Sequence, residues 1–446
     1  MTSTSSDARS GDARYRAVLE RLQSRGRFGI NLGLDRTTAL LRELGDPHLQ
    51  LRGALIGGTN GKGSTQQLVA SALREAGLRV GQTPKPHLVS YRERITIDGE
   101  PISRADFADL IEEVLDHAES VTGQHGPPTE FEVLTAAAFT WFHRKRVDVA
   151  IVEVGLGGRL DATNVWNGGV AAITNVALDH TEHLGSTIEA IAVEKAQIIK
   201  GGEWAAITGA EEPALSVIRR RAAELDVYLE TREPFEVIGM DRLGTYVRTP
   251  SEHELQIGLL GRHQAANASV ALGILAALER GTGGEIFDSP EEFEHGLASA
   301  RWPGRLEMLP VTEDRPDVLL DGAHNPHGAA ALAVAVDELI PDDQPVTLLI
   351  GVVREKDLDG VIGALRSSRV LSRATVIATT VPDSDRATPA ADLAALWPGA
   401  IAVADTDAAL EDALGRASKS AGIVVVAGSL YLVGHVRARL LGLEKD

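Results

Sequence analysis

A short apolar segment that leads into a glycine-rich turn and then into a helical pattern constrains this chain most. Residues 51–56 predict a strand, the turn spans 57–64, and 65–76 show helical periodicity that Gly77 closes. Glycines let the backbone curl so that its N–H groups face phosphate oxygens, and the following helix adds its positive N-terminal end. This arrangement predicts the nucleotide-binding unit of an α/β protein.

Two side chains of the turn are suited to phosphate and metal. Lys62 is placed to reach the β- and γ-phosphates, and the Ser64 hydroxyl to reach a magnesium ion. The spacing differs from the usual Walker A motif, because Thr-Asn precedes Gly61 and Lys62, and an additional Gly63 stands before the hydroxyl. A glycine-rich turn without a ligand is the alternative, and the flanking strand and helix favour the nucleotide site.

Apolar strands and helical stretches alternate along most of the chain. The further predicted strands are 147–154, 170–176, 317–320, 346–350, 374–378, 401–403 and 423–426. The predicted helices are 15–22, 37–44, 187–199, 272–278, 328–339, 358–367, 389–396, 407–418 and 429–441. Such alternation implies mostly parallel sheets with helices on both faces, and residues 203–260 are predicted to hold a small antiparallel sheet. We predict two α/β domains, 1–300 and 301–446, with a disordered tail at 1–12.

Composition excludes several classes of protein. The 446 residues contain 44 Lys plus Arg against 63 Asp plus Glu, so a formal charge of −19 argues against nucleic acid or an anionic membrane as partner. No cysteine is present, which rules out disulfides, thiolate metal sites and thiol catalysis. No apolar run approaches the roughly 20 residues that span a bilayer, and the N-terminus lacks a secretory signal. We expect a cytoplasmic protein, and the net charge leaves room for an anionic small-molecule substrate because a site can be locally basic.

A series of short motifs resembles, in order, those of the Mur ligase superfamily and its folylpolyglutamate synthase/dihydrofolate synthase branch. They are Gly58–Ser64, Pro86–Leu88, Tyr91–Ile95, Thr129–Glu132, Glu153–Asn164, Asp179–Thr181, Glu194–Ala196, His263-Gln264 with Asn267, Trp302–Arg305 and Asp321–Pro326. The inserted Gly63 resembles the folate branch. The resemblance implies an N-terminal P-loop ATPase domain of the Mur ligase type and a C-terminal Rossmann-like domain with a mostly parallel sheet.

The resemblance also implies an activity. Members of this family join an amine, usually that of L-glutamate, to a carboxylate, and they use ATP and Mg²⁺. A carboxylate is a poor electrophile, so its phosphorylation to an acyl phosphate precedes attack by the amine, with release of ADP and phosphate. The implied acids are dihydropteroate, reduced folates or both, and the family is commonly monomeric.

The resemblance assigns residues to ATP, to metal and to catalysis. The implied ATP contacts are Thr59, Asn60, Gly61, Lys62, Gly63, Ser64, Asn267, Arg305 and Asp321. The implied metal ligands are Ser64, Glu153, His180 and, once carbamylated, Lys195, and the implied catalytic residues are Lys62, His180 and Lys195. Glu153 suits this role because a lone carboxylate in an apolar strand is otherwise costly to bury. A satisfied structural histidine and a solvated helix face are the alternatives for His180 and for Glu194 with Lys195.

A second implied set lines the site for the pteroyl acid. It consists of Leu32, Gly33, Leu34, Thr129, Glu130, Phe131, Glu132, Leu160, Asp161 and Ala162. Their sequence by itself indicates only turns and a helix start. Further along, Asn325 suits a helix cap as well as a nucleotide contact, and the pair Lys356 and Asp357 fits either a mobile closing element or a plain surface pair.

One position departs from the family pattern. The family usually has Ser-Pro-His-Leu where this chain has Lys85-Pro86-His87-Leu88, and that serine helps to ligate the first magnesium in relatives. An ammonium has no lone pair for a metal. Three alternatives follow: Thr83 replaces the serine as a metal ligand, a water molecule takes its position, or Lys85 contacts the γ-phosphate directly. We favour the third as a hypothesis.

Two rival functions differ from folate ligation. The first is a ligase of the same fold that uses another acid, such as a peptidoglycan precursor, and the presence of Gly63 counts against it. The second is a nucleotide-binding protein that has lost catalysis and acts as a sensor or scaffold. Retention of Lys62, Glu153, His180 and Lys195 argues against that alternative.

Overall fold

The chain folds into two compact units in a computed structural model. The structure describes residues 4–28, 32–284, 286–312, 315–354, 356–382 and 384–446, with the backbone alone for 4–10, 27 and 28. One unit contains Met1–His87, Tyr91–Phe235 and Ala266–Leu297, and the other contains Leu88–Ser90, Glu236–Ala265 and Ala298–Asp446. We call them the N-terminal and C-terminal units. The domain boundary after residue 300 stays a prediction, and residues 236–265 group with the C-terminal unit.

The described residues form helices and strands that we number in chain order. The helices are α1 Thr4–Gln23, α2 Asp35–Glu43, α3 Lys62–Glu75, α4 Arg104–His125, α5 Glu130–Lys145, α6 Thr181–Leu184, α7 Ile188–Ala196, α8 Ala214–Glu224, α9 Gln264–Thr282, α10 Pro290–Ser299, α11 Pro326–Leu339, α12 Leu358–Arg366, α13 Ala390–Ala395, α14 Thr406–Ser420 and α15 Leu430–Leu441. The strands are β1 Gly53–Gly57, β2 Val80–Thr83, β3 Thr96–Ile97, β4 Glu100–Pro101, β5 Val149–Glu153, β6 Gly169–Ile173, β7 Ala205–Thr208, β8 Leu229–Thr231, β9 Glu236–Asp241, β10 Gly244–Arg248, β11 Glu254–Ile257, β12 Glu307–Leu309, β13 Val318–Leu320, β14 Val346–Ile350, β15 Thr375–Ala378, β16 Ile401–Ala402 and β17 Ile423–Ala427.

An eight-stranded sheet organises the N-terminal unit. Its strand order is β4-β3-β2-β5-β1-β6-β7-β8. The six strands from β2 to β8 in this order are parallel, and the short β3 and β4 at one edge are antiparallel to their neighbours. The central strands β1, β5 and β6 are buried along their whole length, which is why they are continuous apolar runs rather than alternating ones. A core that includes Phe107, Phe139, Phe142 and Trp166 fills the space between this sheet and its helices.

A six-stranded sheet and a smaller antiparallel sheet organise the C-terminal unit. The larger sheet has the order β12-β13-β17-β14-β15-β16, with only β12 antiparallel to its neighbour. The smaller sheet is β11-β10-β9. The predicted α/β class with mostly parallel sheets is confirmed, and β14 has the bounds that its apolar run predicts.

Two predictions of local structure differ from the structure. Of the predicted disordered tail 1–12, residues 1–3 lie outside the described residues, and residues 4–12 form the first part of helix α1. The Asp12 carboxylate accepts a hydrogen bond from Arg104 of α4 at 3.0 Å. Residues 205–231 form β7, α8 and β8, and the two strands extend the large parallel sheet. The antiparallel sheet is therefore confined to 236–257. Both differences come from contacts with distant segments, which local patterns do not record. Within the described ranges, every helix is too short or too polar to cross a membrane.

Candidate functional site

The glycine loop, residues 57–64, joins β1 to α3 in a conformation that requires glycine at two positions. Gly58 and Gly61 have φ of +136° and +82°. A Cβ at Gly58 would overlap the Thr174 hydroxyl, and one at Gly61 would overlap the Asn267 side-chain oxygen. Helix α3 begins at Lys62, earlier than its apolar pattern predicts, so the loop ends directly in helical N–H groups. Such a turn offers its N–H groups to an anion.

Residues that follow β6 hold the glycine loop in place. The Thr59 N–H donates to the Asn175 carbonyl oxygen, and the Asn60 N–H donates to the Asn175 side-chain oxygen, both at 2.9 Å. The Thr174 hydroxyl donates to the Asn60 carbonyl oxygen at 2.6 Å. Sequence reasoning missed Thr174 and Asn175. Two polar residues at the end of an apolar strand were the available signal.

Two lysines converge on the carbonyl oxygens of the glycine loop. Lys62 Nζ donates to the oxygens of Gly58 and Thr59 at 3.1 and 3.0 Å, and Lys195 Nζ donates to the Gly58 oxygen at 2.9 Å. Burial, and then the charge of Lys62, lower the pKa of Lys195 to about 7. Lys195 is buried, so the alternative of a solvated helix face is wrong for it, whereas Glu194 is partly exposed and pairs with Arg159 at 3.0 Å.

Glu153 lies at the carboxyl end of β5, next to the strand that leads into the glycine loop. It pairs in register with Ile56 of β1, and its side chain is buried. The Glu153 N–H donates to the Thr83 hydroxyl at 3.2 Å, and its carbonyl oxygen accepts from Lys85 Nζ. Ligands of open parallel sheets bind at this edge.

His180 immediately precedes the short helix α6, beyond the end of β6. Its backbone has a φ of +48°, and its N–H donates to the Asp179 carboxylate at 2.9 Å. About half of the side-chain surface, 49%, is exposed, so His180 is not a buried core histidine. The exposed imidazole is available to a ligand.

The donor set fits a magnesium ion that a triphosphate helps to hold. In the ranges that the structure describes, no three or more His, Asp or Glu side chains are grouped as a metal site. The Glu153 carboxylate and the Ser64 hydroxyl are oxygen donors, which Mg²⁺ prefers. Because Mg²⁺ usually keeps several waters and takes further oxygens from substrate phosphates, such a small protein set is sufficient.

A cavity of about 320 Å³ lies in the same unit, and we call it the apolar cavity. It is lined by Gly26, Leu32, Gly33, Thr129, Glu130, Phe131, Glu132, Gly155, Leu156, Leu160, Asp161 and Ala162. The structure thus brings together every predicted acid-site residue except Leu34, which only precedes α2. Sequence reasoning missed Gly26, Gly155 and Leu156. A mostly apolar pocket with a few polar groups is typical of small-molecule sites.

Two carboxylates in the wall of the apolar cavity are engaged in folding. Glu132 accepts from the Thr129 N–H at 2.7 Å, which completes the capping box of α5, and from Arg36 Nε at 3.0 Å. Asp161 accepts from the N–H groups of Gly155 and Leu156 at 3.0 and 2.8 Å. For Glu132 and Asp161 the alternative of a helix start and a turn is therefore confirmed, and their contact with the acid substrate stays a prediction.

A polar cluster lies beside Glu130. Burial raises the pKa of Tyr91 to about 12 and also raises the pKa of Glu130, to which Tyr91 is hydrogen-bonded. Arg94 Nε donates to His87 Nδ1 at 2.8 Å. Burial, and then the charge of Arg94, lower the pKa of His87 to about 3, so its imidazole is neutral and accepts this hydrogen bond.

Lys85 lies between Glu153 and the apolar cavity. Its ammonium is 4.6 Å from the centroid of the Phe131 ring and donates to the Glu153 carbonyl oxygen. Burial lowers its pKa to about 8. The Thr83 hydroxyl already accepts the Glu153 N–H. The predicted contact of Lys85 with a γ-phosphate stays a prediction.

The remaining predicted ATP contacts lie in different units. Asn267 is in the N-terminal unit against Gly61, whereas Arg305 and Asp321 are in the C-terminal unit. Asp321 accepts from the N–H groups of Leu306 and Ala323 at 2.8 and 2.9 Å, and burial raises its pKa. The structure therefore uses Asp321 to fix the turn that follows β13.

Two polar residues of the C-terminal unit are helix caps. The Asn325 side-chain oxygen accepts from the Gly328 N–H at 2.7 Å, and Asp357 accepts from the Gly360 N–H at 2.9 Å. The capping alternative for Asn325 is confirmed, and Asp357 is more than a plain surface residue.

Comparison with known proteins defines the class. Residues 107–275 match the Mur ligase middle domain, and residues 304–430 match the Mur ligase glutamate ligase domain. The fold, the glycine loop and these two matches together define a Mur ligase. The folate branch follows from individual relatives.

The relatives agree on one family. The dihydrofolate synthase/folylpolyglutamate synthase of Bacillus subtilis is 33% identical over 96% of this chain and 99% of its own length. A probable bifunctional folylpolyglutamate synthase/dihydropteroate synthase of Halobacterium salinarum is 37% identical over 96% of this chain, which spans about half, 52%, of that relative. The folylpolyglutamate synthase of Mycobacterium tuberculosis, solved with ADP and AMPPCP, superposes with a TM-score of 0.83 at 30% identity, covering 98% of this chain and all of that one. The chain belongs to the folylpolyglutamate synthase/dihydrofolate synthase family, as its motifs predict.

Proposed function

We propose that this chain is an ADP-forming ligase that joins L-glutamate to a pteroyl acid, namely dihydropteroate, a reduced folate or both. One observation carries the proposal. The glycine loop with Lys62 and Lys195 lies at the same sheet edge as Glu153, in the unit that also contains the apolar cavity. The Escherichia coli FolC structure, solved with DHPP and ADP and superposed with a TM-score of 0.79 at 30% identity, supports it.

The proposed reaction has two steps. A carboxylate oxygen of the acid attacks the γ-phosphorus of ATP, the bond from that phosphorus to the bridging oxygen breaks, and ADP leaves. The glutamate amine then attacks the acyl carbon, loses a proton, and displaces phosphate as the carbon–oxygen bond breaks. Both steps bring anions together, so cationic groups must neutralise the developing charge.

The proposed roles follow the chemistry of each group. Lys62 would leave the loop carbonyls for the β- and γ-phosphates, and Ser64, Glu153 and His180 would hold Mg²⁺. When bound, Mg²⁺ would neutralise the triphosphate charge. Only a neutral amine reacts with CO₂, so the pKa of about 7 at Lys195 supports its carbamylation near neutral pH. Carbamylated Lys195 would supply a further oxygen ligand.

Further parts of the proposal concern ATP and the state of the protein. Asn267 borders the loop, and we assign it, with Arg305 and Asp321, to ATP. The residues that line the apolar cavity, Glu132 and Asp161 among them, would hold the pteroyl group. We also propose a cytoplasmic monomer, because its substrates are small soluble anions and the family is commonly monomeric. Light scattering during size-exclusion chromatography tests the monomer, which predicts a mass of 47.4 kDa.

A substrate panel tests the proposed activity. ADP release is measured with ATP, Mg²⁺ and dihydropteroate, tetrahydrofolate or a UDP-muramoyl acid, each with and without glutamate. We expect glutamate-dependent release with at least one of the first two acids. Release with the UDP-muramoyl acid alone would establish the ligase of another acid, and no release with any acid would establish a lapsed nucleotide-binding protein.

A further inference from the structure

The environment of Lys85 joins the two halves of the proposed active site. Its ammonium donates to the carbonyl oxygen of Glu153, the last residue of β5, and lies 4.6 Å from the centre of the Phe131 ring, which lines the apolar cavity. Among the described residues, the Glu153 carbonyl is the hydrogen-bond acceptor that this ammonium contacts. The side chain therefore bridges a strand end on the nucleotide side and an aromatic wall on the acid side.

The Phe131 ring also packs against Gly155, which follows β5. An added Cβ at Gly155 would lie 2.8 Å from the ring, so the ring packs directly on the backbone that follows Glu153. A cation over the face of an aromatic ring is attracted to its quadrupole, and the attraction is larger when the cation is shielded from water. The Lys85 ammonium thus lies over the Phe131 ring, and the absence of a side chain at Gly155 allows the ring to pack on the backbone that follows β5.

We propose that Lys85 is a positioning residue that fixes the Phe131 ring and so sets the shape of the apolar cavity for the acid substrate. The inference rests on the proposed function. It gives Lys85 a role on the acid side, in place of the hypothesis that it contacts the γ-phosphate. The charge acts through the ring, and the Glu153 carbonyl anchors the ammonium.

Steady-state kinetics with three variants test the proposal. Lys85→Met removes the charge and the donor, Lys85→Gln keeps a donor for the Glu153 carbonyl without the charge, and Lys85→Arg keeps the charge on a group that stacks on aromatic rings. We expect KM for the acid to rise about 5- to 30-fold in the Met and Gln variants. We expect Arg to restore it to within about threefold, and KM for ATP to change less than about twofold in all three.

A double-variant cycle tests the role of the ring. In the Phe131→Leu background, which has no aromatic face, Lys85→Gln should raise KM for the acid less than about twofold further. Lys145→Met is the matched control, because Lys145 lies 4.3 Å from the Trp141 ring at the other end of α5. It should leave KM for the acid unchanged.

The outcomes separate this proposal from its alternatives. An unchanged KM for the acid in Lys85→Gln, or an equal rise with and without Phe131, would overturn it. A rise confined to KM for ATP or to the magnesium requirement would show the γ-phosphate contact instead. If Lys85→Met fails to fold by circular dichroism, the Gln and Arg pair still decides the matter. Absence of turnover in the unchanged chain would refute the proposed function itself, which is a distinct result.

Discussion

The glycine loop is one continuous segment, whereas the apolar cavity is assembled from residues near 26–33, 129–132 and 155–162. At the loop, the ammonium groups of Lys62 and Lys195 donate hydrogen bonds to backbone carbonyl oxygens. In the cavity, the carboxylates of Glu132 and Asp161 cap a helix and a turn. A variant of Lys62 should therefore lower the reaction rate with little change in the free energy of unfolding. A variant that disturbs a cavity carboxylate should change both the free energy of unfolding and the KM for the acid.

The largest expected effect is on the cavity side. Arg36→Met would leave the buried Glu132 carboxylate without its guanidinium partner, which costs about 3–5 kcal/mol when a buried pair is broken. Urea denaturation should show this loss, and KM for the acid should rise. Adding Glu132→Gln should recover part of the stability, because the amide oxygen still accepts the Thr129 N–H. A stability equal to that of the parent would remove the distinction between cavity and loop.

The next effect is on the loop side. Lys62→Met should lower the rate of ADP formation about 10²- to 10³-fold, because it removes a cation from the developing phosphoryl charge. The free energy of unfolding should stay within about 0.5 kcal/mol of the parent, since the hydrogen bonds of this ammonium among the described residues go to two loop carbonyl oxygens. Lys419→Met, at an exposed position of α14, is the control for loss of one charge. Equal turnover in both variants would exclude Lys62 from the chemistry.

A pair of glycines tests how tightly the loop is packed. Gly61 and Gly77 have φ of +82° and +77°. Among the described residues, an added Cβ at Gly61 would meet the Asn267 side chain, whereas one at Gly77 would have no neighbour within 4 Å. Gly77→Ala should cost about 1 kcal/mol of stability for its backbone conformation. Gly61→Ala should cost about 2–3 kcal/mol and raise KM for ATP, because Asn267 must move. Equal losses in the two variants would mean that Asn267 does not constrain the loop.

The smallest expected effect is the pH dependence of the free energy of unfolding that His87, in the polar cluster near the apolar cavity, produces. The pKa of His87, about 3 in the folded chain, lies below its ordinary value of 6.5, so the unfolded chain alone takes up the proton between these values. Stability should therefore fall as pH decreases below 6.5, by about 1–2 kcal/mol between pH 6.5 and 5. His87→Asn keeps an acceptor for Arg94 and should reduce this slope. Identical slopes in both proteins would contradict a neutral His87.

Much of the fold could be predicted because its strands are buried on both faces. Continuous apolar runs such as 346–350 indicate such strands without any knowledge of their partners. The glycine loop could likewise be predicted, because its glycines, lysine and flanking elements are adjacent in sequence. Local composition was misleading at residues 4–12, where pairing of Asp12 with Arg104 on a distant helix accompanies a helical conformation.

The rest of the candidate site depends on contacts that the sequence does not record. Thr174 and Asn175 hold the loop from the end of another strand, and no local pattern links residues so far apart in the chain. Motif resemblance identified Glu132 and Asp161, but only the hydrogen bonds show that both are engaged in folding. For Lys85 the sequence left three outcomes open, and the structure adds its contacts with Phe131 and Glu153.

Transfer of an oxygen isotope tests the central claim most directly. The acid is prepared with ¹⁸O in its reacting carboxylate, and the phosphate released during turnover with ATP, Mg²⁺ and glutamate is examined by mass spectrometry. Phosphorylation of the carboxylate predicts one ¹⁸O atom in each phosphate released, because the carbon–oxygen bond breaks when the amine attacks. Amide formation with unlabelled phosphate would contradict the account.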